Sequence, residues 1–449
     1  MFWRKKDPPL FSIEQAVTGI LATGRPGSGK TTLVNRIAIE LAAMGCIVCV
    51  CCIKPDEADN YSELLKRYKP LRIEPGNAVI NPLTYELGRK GGSPRSLARF
   101  MEDLTEVLSR SSSEKTEVFW KSGTADTQAY AIELAYMVKG KDASFQDVYD
   151  IILSAPSDPA QASSESLRST PLGQLLERAF TINPERAKVI ADFFLKRFAC
   201  VGEKANGAFR TGALTAIAPF LEPGIKEITS GRSTITPEQM LERHTILALD
   251  TLTYSTGGLA LNLLASWLCM EAVLRRTKWR RPFVLVRDEY HQLAHAERDI
   301  RVQSVGRSQE FIGISAVQTL PVLKAAMGGD LAAQNQSEAL YGLHVSKVMC
   351  NNNCHLTNEF NSNVIGQERV MFYGGGVASQ DEPPEWYDFF GVGKSPNVSF
   401  NQQWHFKVPP ASFLSLRTGG PANRGYVDAI IHRGTDGHEF VTHRQEKKP

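Results

Sequence analysis

Residues 24–32 read Gly24-Arg25-Pro26-Gly27-Ser28-Gly29-Lys30-Thr31-Thr32, which fits G-x-x-x-x-G-K-[ST] at every fixed position. Glycines at these points let backbone N–H groups close around a β-phosphate. A lysine at position 30 reaches the β- and γ-oxygens, and the Thr31 hydroxyl is placed to bind Mg²⁺. ATP and Mg²⁺ are the cofactors this pattern expects. A phosphate cradle of this kind needs an acid at the end of a neighbouring strand. "FVLVRDE" (283–289) supplies four apolar residues, an arginine, then Asp288 and Glu289. Asp288 is expected to hold the metal through water, and Glu289 to polarise the attacking water as a base. "VGRSQEFIGISAVQTLPVL" (305–323) then sets Arg307 shortly before an apolar run and Gln318 at its end. Gln318 is expected beside the γ-phosphate as a sensor. Arg307 has no evident role within its own subunit and suits a finger reaching a neighbour's nucleotide, where a planar guanidinium stabilises transferred charge.

The elements that must position these residues are legible as patterns. "TGILATG" (18–24) is a short apolar run ending in glycine, "KTTLVNRIAIELAAMG" (30–45) has helical periodicity, and "CIVCVCCI" (46–53) is apolar throughout. Strand, loop, helix and strand make one βαβ unit, and the unbroken apolar strand suits a parallel sheet covered on both faces. "LRIEPGNAVINPL" (71–83) predicts a strand and turn. From 92 to 225 the patterns are helical, with a Ser/Ala/Pro-rich stretch at 154–171 that reads as loop or disorder. Strand-like runs return at 245–251, 282–289, 311–317 and 343–350. The implied fold class is α/β, a P-loop NTPase with a mostly parallel sheet interrupted by an all-α insertion, and the family resemblance given below implies that it is RecA-like. The expected organisation is 1–91 as the N-terminal part of the nucleotide-binding domain and 92–225 as the helical insertion. Residues 226–370 form its C-terminal part, and 371–449 a loop-rich segment ending in the strand-like "GYVDAIIH" and "HEFVTH". Every sheet strand falls outside 92–225, so the insertion is expected to sit on a complete core.

Composition bounds the rest. The chain has 449 residues, 42% hydrophobic and 22% charged, with a formal charge of +3. That is an ordinary globular balance, and any nucleic-acid surface must be local. The eight cysteines are scattered, four of them in the apolar 46–53 run, which suits a reducing compartment rather than a disulfide framework. "CNNNCH" (350–355) lacks the second ligand pair of a zinc site. No signal peptide is visible, and "LALNLLASWLCMEAVL" (259–274), interrupted by Glu271, reads as a buried core helix. "LRRTKWRRP" (274–282) could track phosphates with Trp279 stacking on a base, or be a solvated helix end. "TLTYSTGG" (251–258) suits either a pore loop or an ordinary strand–helix connection.

The ordered set "GRPGSGKTT", "VLVRDEYHQL" and "GRSQEFIGISAVQT" resembles the type IV secretion coupling proteins of bacterial conjugation (the TraD/TraG type), in the FtsK/HerA class of RecA-like DNA pumps. In that family an arginine finger and a sensor glutamine follow the acid at about the separations seen here, 19 residues from Asp288 to Arg307 and 30 to Gln318. "EVFWKSGTADTQAYAIELAY" (117–136) looks like the start of that family's helical insertion, and 333–366 like the stretch after its sensor strand. The resemblance implies a ring, a hexamer, in which ATP lies between subunits and hydrolysis moves DNA, with relaxase-type cargo and a separate membrane or secretion-channel partner. Most such proteins carry a membrane anchor before the P-loop. The 23 residues ahead of Gly24 are too few for a span and linker, so the expectation is a cytoplasmic protein recruited to the inner membrane through a partner. Two alternatives stay open: a nucleotide-gated protein-binding adaptor, and a packaging or defence ATPase of the same superfamily.

Overall fold

A computed structural model describes residues 8–108, 118–277, 281–376 and 397–445. Eleven strands are present among them: β1 (Ile20–Thr23), β2 (Ile47–Cys52), β3 (Leu71–Ile73), β4 (Thr245–Ala248), β5 (Phe283–Arg287), β6 (Phe311–Val317), β7 (Ser346–Cys350), β8 (Gln367–Gly376), β9 (Asn397–Phe406), β10 (Tyr426–Arg433) and β11 (His438–Arg444). Nine of them form one sheet in the order β11-β10-β7-β1-β6-β5-β2-β4-β3. β1 to β7 are mutually parallel, while β10 and β11 add antiparallel at one edge. This is the RecA-like P-loop fold. β8 and β9, which overlap the two ends of the stretch 370–400 where the sequence suggested only a looser segment, pair as a separate antiparallel ribbon.

The parallel strands are apolar throughout because both faces are covered. On one face, Leu33, Val34, Ile37 and Leu41 of the helix Lys30–Ala43 pack on Ile20, Ala22, Val48, Val50, Val286 and Ile314. The other face is shared. Ile47, Cys49, Cys51, Phe283 and Leu285 form one continuous core with the helix Ser255–Arg275 and with the helical block. Leu97, Phe100 and Met101 from that block lie in the same core as Trp267. The strands do lie outside 92–225, yet the block's core and the sheet's core are one.

Among the described residues one helix is long and apolar enough to cross a membrane, Ser255–Arg275, and 83% of its most apolar window is buried inside the fold. The stretch 154–171 differs from its sequence reading. It contains the helical turns Pro159–Ala162 and Glu165–Ser169. Asp158 caps the first through its side chain, accepting from the Gln161 N–H at 2.8 Å, with Pro159 already at a helical φ. Local capping chemistry thus orders a segment whose composition alone suggests a loop.

Candidate nucleotide site

Parallel strands bring their C-terminal ends, and the loops that follow, to one edge of the sheet. The loop after β1 carries residues 24–29, and the helix Lys30–Ala43 begins at its end. Gly27 and Gly29 take left-handed φ of 73° and 86°. A Cβ on Gly29 would fall 2.5 Å from the Val427 methyls of β10, so the last turn of the loop closes only around glycine. The loop is pinned from two sides. The Gly24 N–H donates to the Gln318 carbonyl at 3.3 Å, and the Arg25 N–H to the Asn351 carbonyl at 2.9 Å. Arg25 Nε also donates to Asn351 Oδ1 at 2.6 Å, while Asn351 Nδ2 donates to the Leu414 and Leu416 carbonyls. Ser28 is buried within the loop, whereas Pro26 and Gly27 stand exposed at its tip. At the helix start, Thr32 Oγ1 accepts from Gln445 Nε2 at 3.2 Å.

The acids sit across the edge. β5 is not the strand beside β1, as the sequence reading supposed, because β6 lies between them. That insertion delivers Gln318, which follows β6, to the edge next to the P-loop. Asp288 and Glu289 follow β5 and are nearly buried, 3% and 9% exposed. Thr31 Oγ1 donates to Asp288 Oδ2 at 2.8 Å. Gln318 Nε2 donates to Glu289 Oε2 at 3.3 Å. Glu289 adopts φ 52°, ψ 46°, the left-handed region that a non-glycine residue enters at a cost, and it opens the short helix Tyr290–Leu293. Behind it, Arg287 is fully buried and pairs with Asp299 at 2.5 Å, and Tyr290 Oη donates to the same carboxylate at 2.9 Å. These contacts hold the turn that aims the two acids.

Lys30 is buried, and among the described residues its ammonium has one long hydrogen bond, 3.4 Å to the Gly24 carbonyl. A buried cation so weakly satisfied, at the foot of a glycine-lined cradle, fits a nucleotide's phosphates. The hydroxyl and carboxylate of Thr31 and Asp288 are the hard oxygen donors that suit Mg²⁺. Burial raises the Asp288 pKa, but Lys54, Lys30 and the Thr31 hydrogen bond outweigh it, and the carboxyl stays below its usual range.

Two of these neighbours escaped the sequence reading. Lys54 follows β2 and lies 2.8 Å from Glu289 Oε1 and 3.3 Å from Asp288 Oδ2. Glu57, 8% exposed, accepts from the Ile53 and Lys54 N–H groups at 2.9 and 3.1 Å. Its pKa is pushed up to about 7, by burial first and then by Asp288. The available signal was the position of "KPDE" at the end of an apolar strand, the same context that singled out Asp288 and Glu289.

Arg307 is elsewhere. It lies in the turn Gly306–Gln309 before β6, at the opposite edge of the sheet from Gln318. The seven residues of β6 alone span roughly 20 Å or more. Arg307 is exposed, and its side chain makes no hydrogen bond or ion pair among the described residues. Of the weaker sequence features, Trp279 lies outside the described residues. The 251–258 stretch is a turn over 251–254 that runs into the helix Ser255–Arg275, at the same edge as the P-loop, with Leu252 82% exposed and its N–H donating to Asp250 Oδ1.

No protein-family model matches this sequence, and no curated protein sequence matches it. Solved structures do. The bacterial conjugative coupling protein TrwBdeltaN70, in its unbound form, superposes with a TM-score of 0.64 at 14% identity, over 99% of this chain and 90% of that one. The plasmid coupling protein TrwB in complex with ADP and Mg²⁺ gives 0.59 at 15% identity over 99% and 90%. TrwB in complex with a non-hydrolysable ATP analogue gives 0.59 at 15% identity over 99% and 91%. The whole chain therefore has the fold of a conjugative coupling protein.

Proposed function

We propose that this protein is an ATP-driven coupling ATPase of a conjugation or type IV secretion-like system, which moves DNA as a ring-shaped oligomer, most simply a hexamer. The observation that carries the reading is the meeting, at one sheet edge, of Lys30, Thr31, Asp288, Glu289 and Gln318. Its support at the level of the whole chain is the end-to-end likeness to TrwB, solved with ADP and Mg²⁺ and with an ATP analogue.

Residues 24–32 hold the phosphates of ATP through backbone N–H groups, and Lys30 meets the β- and γ-oxygens. Thr31 and Asp288 hold Mg²⁺, which when bound neutralises charge on the transferred group. Glu289 takes a proton from the attacking water. Gln318, bonded to Glu289 and one strand from the cradle, senses the γ-phosphate. Arg307 serves the site of an adjacent subunit. The domain division keeps 1–91 and 226–370 as the motor and 92–225 as an insertion, but 371–449 is more than the loop-rich segment the sequence suggests, because β10 and β11 extend the motor's sheet beside β7. The exposed Leu252 turn, at the nucleotide edge, is a candidate contact to DNA. Relaxase-type cargo, and recruitment from the cytoplasm to the inner membrane through a channel partner, complete the reading.

DNA dependence tests it. ATP hydrolysis by the purified chain should rise severalfold on adding single- or double-stranded DNA, and the stronger activator names the substrate. Hydrolysis indifferent to both strand forms but responsive to a protein partner would replace the pump with an adaptor.

A further inference from the structure

Three carboxylates converge on one monovalent cation at this edge. The Lys54 ammonium lies 2.8 Å from Glu289 Oε1, 3.3 Å from Asp288 Oδ2 and 3.9 Å from Glu57 Oε1. The acids are nearly buried, while the Lys54 side chain is 46% exposed. The backbone that carries it is fixed, because Glu57 accepts from the N–H groups of Ile53 and Lys54. The base of this side chain is therefore clamped and its charged end can swing to solvent. Lys30, the other cation of the site, hydrogen-bonds the Gly24 carbonyl instead. Buried carboxylates side by side need a counter-charge, and among the described residues Lys54 is the cation in direct contact with both.

We propose that Lys54 is a positioning residue that acts as the site's internal counter-ion. It neutralises Asp288 and Glu289 while no divalent ion is held, and it must leave Asp288 before that carboxylate can hold Mg²⁺. Two consequences follow. Mg²⁺ alone binds poorly, because it must displace a tethered cation without the phosphate oxygens that supply its remaining ligands. Glu289 is also tied to an ammonium until nucleotide and metal arrive together, so it is not free to take a proton beforehand. The proposal rests on reading Asp288 as the metal-side acid.

The test uses MgCl₂ without nucleotide, on the full chain at constant ionic strength, with the thermal unfolding midpoint as the readout. The wild-type midpoint should stay nearly flat as Mg²⁺ rises. Lys54→Met should unfold at a lower temperature without Mg²⁺ and show a saturable rise with it, at a concentration tenfold or more below any wild-type response. That factor is of the order expected for removing one positive charge about 4 Å from the ion, with allowance for a half-exposed group. Lys54→Arg should behave as wild type, and Lys54→Met with Asp288→Asn should lose the rise. If Lys54→Met does not fold, the comparison passes to Glu289→Gln with and without Lys54→Met, which carries one carboxylate fewer. The Mg²⁺ response should appear only where Lys54 is replaced. Equal responses with and without Lys54, in whichever pair folds, overturn the proposal. No ATP is present, so the outcome does not depend on whether the chain proves to be a DNA-stimulated ATPase.

Discussion

In the proposed mechanism Lys30 and Glu289 divide the work of the site between holding nucleotide and breaking it. Lys30→Ala removes the cation at the foot of the cradle, so Mg²⁺·ATP affinity and turnover should both fall. Glu289→Gln keeps the shape and the contact with Gln318 but cannot accept a proton. It should bind a fluorescent ATP analogue normally while hydrolysis drops by about 10²–10⁴, the range for a lost general base. Hydrolysis by Glu289→Gln at the wild-type rate would remove Glu289 from that role. Gly29 makes a separate, structural prediction. Gly29→Ala must tolerate a φ of 86° and a Cβ 2.5 Å from the Val427 methyls. The left-handed backbone costs about 1–2 kcal/mol and the overlap about 1–3 kcal/mol more. Adding Val427→Ala should recover only the second part, as read by denaturant unfolding. Recovery of the whole loss would mean that the backbone strain counts for nothing. At this scale the loop 24–32 and the two acids stood out in the sequence through their fixed motif spacing, and the structure brings them to one sheet edge. Lys54 and Glu57 did not. "CCIKPDEAD" follows an apolar strand as the two acids do, but only the pairing of β2 with β5 sets Lys54 and Glu57 against those acids.

The seven parallel strands were legible because a parallel sheet covered on both faces demands unbroken apolar runs, and those runs stand out between polar loops, whereas the antiparallel ribbon of β8 and β9 carries no such run and was missed. The order of the seven was not legible. Nothing local in "FIGISAV" says that β6 runs between β1 and β5, since that depends on where each crossover lands. The helical block poses a similar problem. Its helices follow from periodicity, but the sharing of its core with Cys49, Leu285 and Trp267 is a tertiary fact. That sharing has a consequence. Excising 92–225 with a short linker should strip the helix Ser255–Arg275 of its cover and expose a large apolar face. The product should lose cooperative thermal unfolding and aggregate. A soluble, cooperatively folded product that still binds nucleotide would show that the insertion is dispensable to the core. The helix Leu331–Leu343 offers a test by pH. His344 caps its end, fully buried, with Nδ1 2.7 Å from the Leu340 carbonyl. Burial lowers its pKa to about 4, against an ordinary value of 6.5. Unfolding therefore takes up a proton between those limits, and stability should fall as pH drops from about 6.5 to about 4. His344→Gln should flatten that part of the profile, and an unchanged slope would assign it to other groups.

Across the whole molecule, the candidate nucleotide site and Arg307 occupy opposite edges of one sheet. The parallel register that gathers Lys30, Asp288, Glu289 and Gln318 at one edge puts the residue before β6 at the other. Within a single chain Arg307 cannot meet the phosphates, so a role in hydrolysis requires a second copy. Arg307→Ala should then leave nucleotide binding near normal while cutting turnover by about 10³ or more, the range for arginine fingers. Mixing the Arg307→Ala and Lys30→Ala chains sharpens the test. Some interfaces of a mixed ring would join an intact P-loop from the first mutant to an intact arginine from the second. Those interfaces should regain partial hydrolysis, although each mutant alone is dead. An Arg307 that only stabilises its own subunit gives no rescue at any mixing ratio. Co-assembly is checked by pulling down one tagged mutant with the other. With co-assembly shown and hydrolysis still absent, the finger role fails, and with it the residue-level case for a ring.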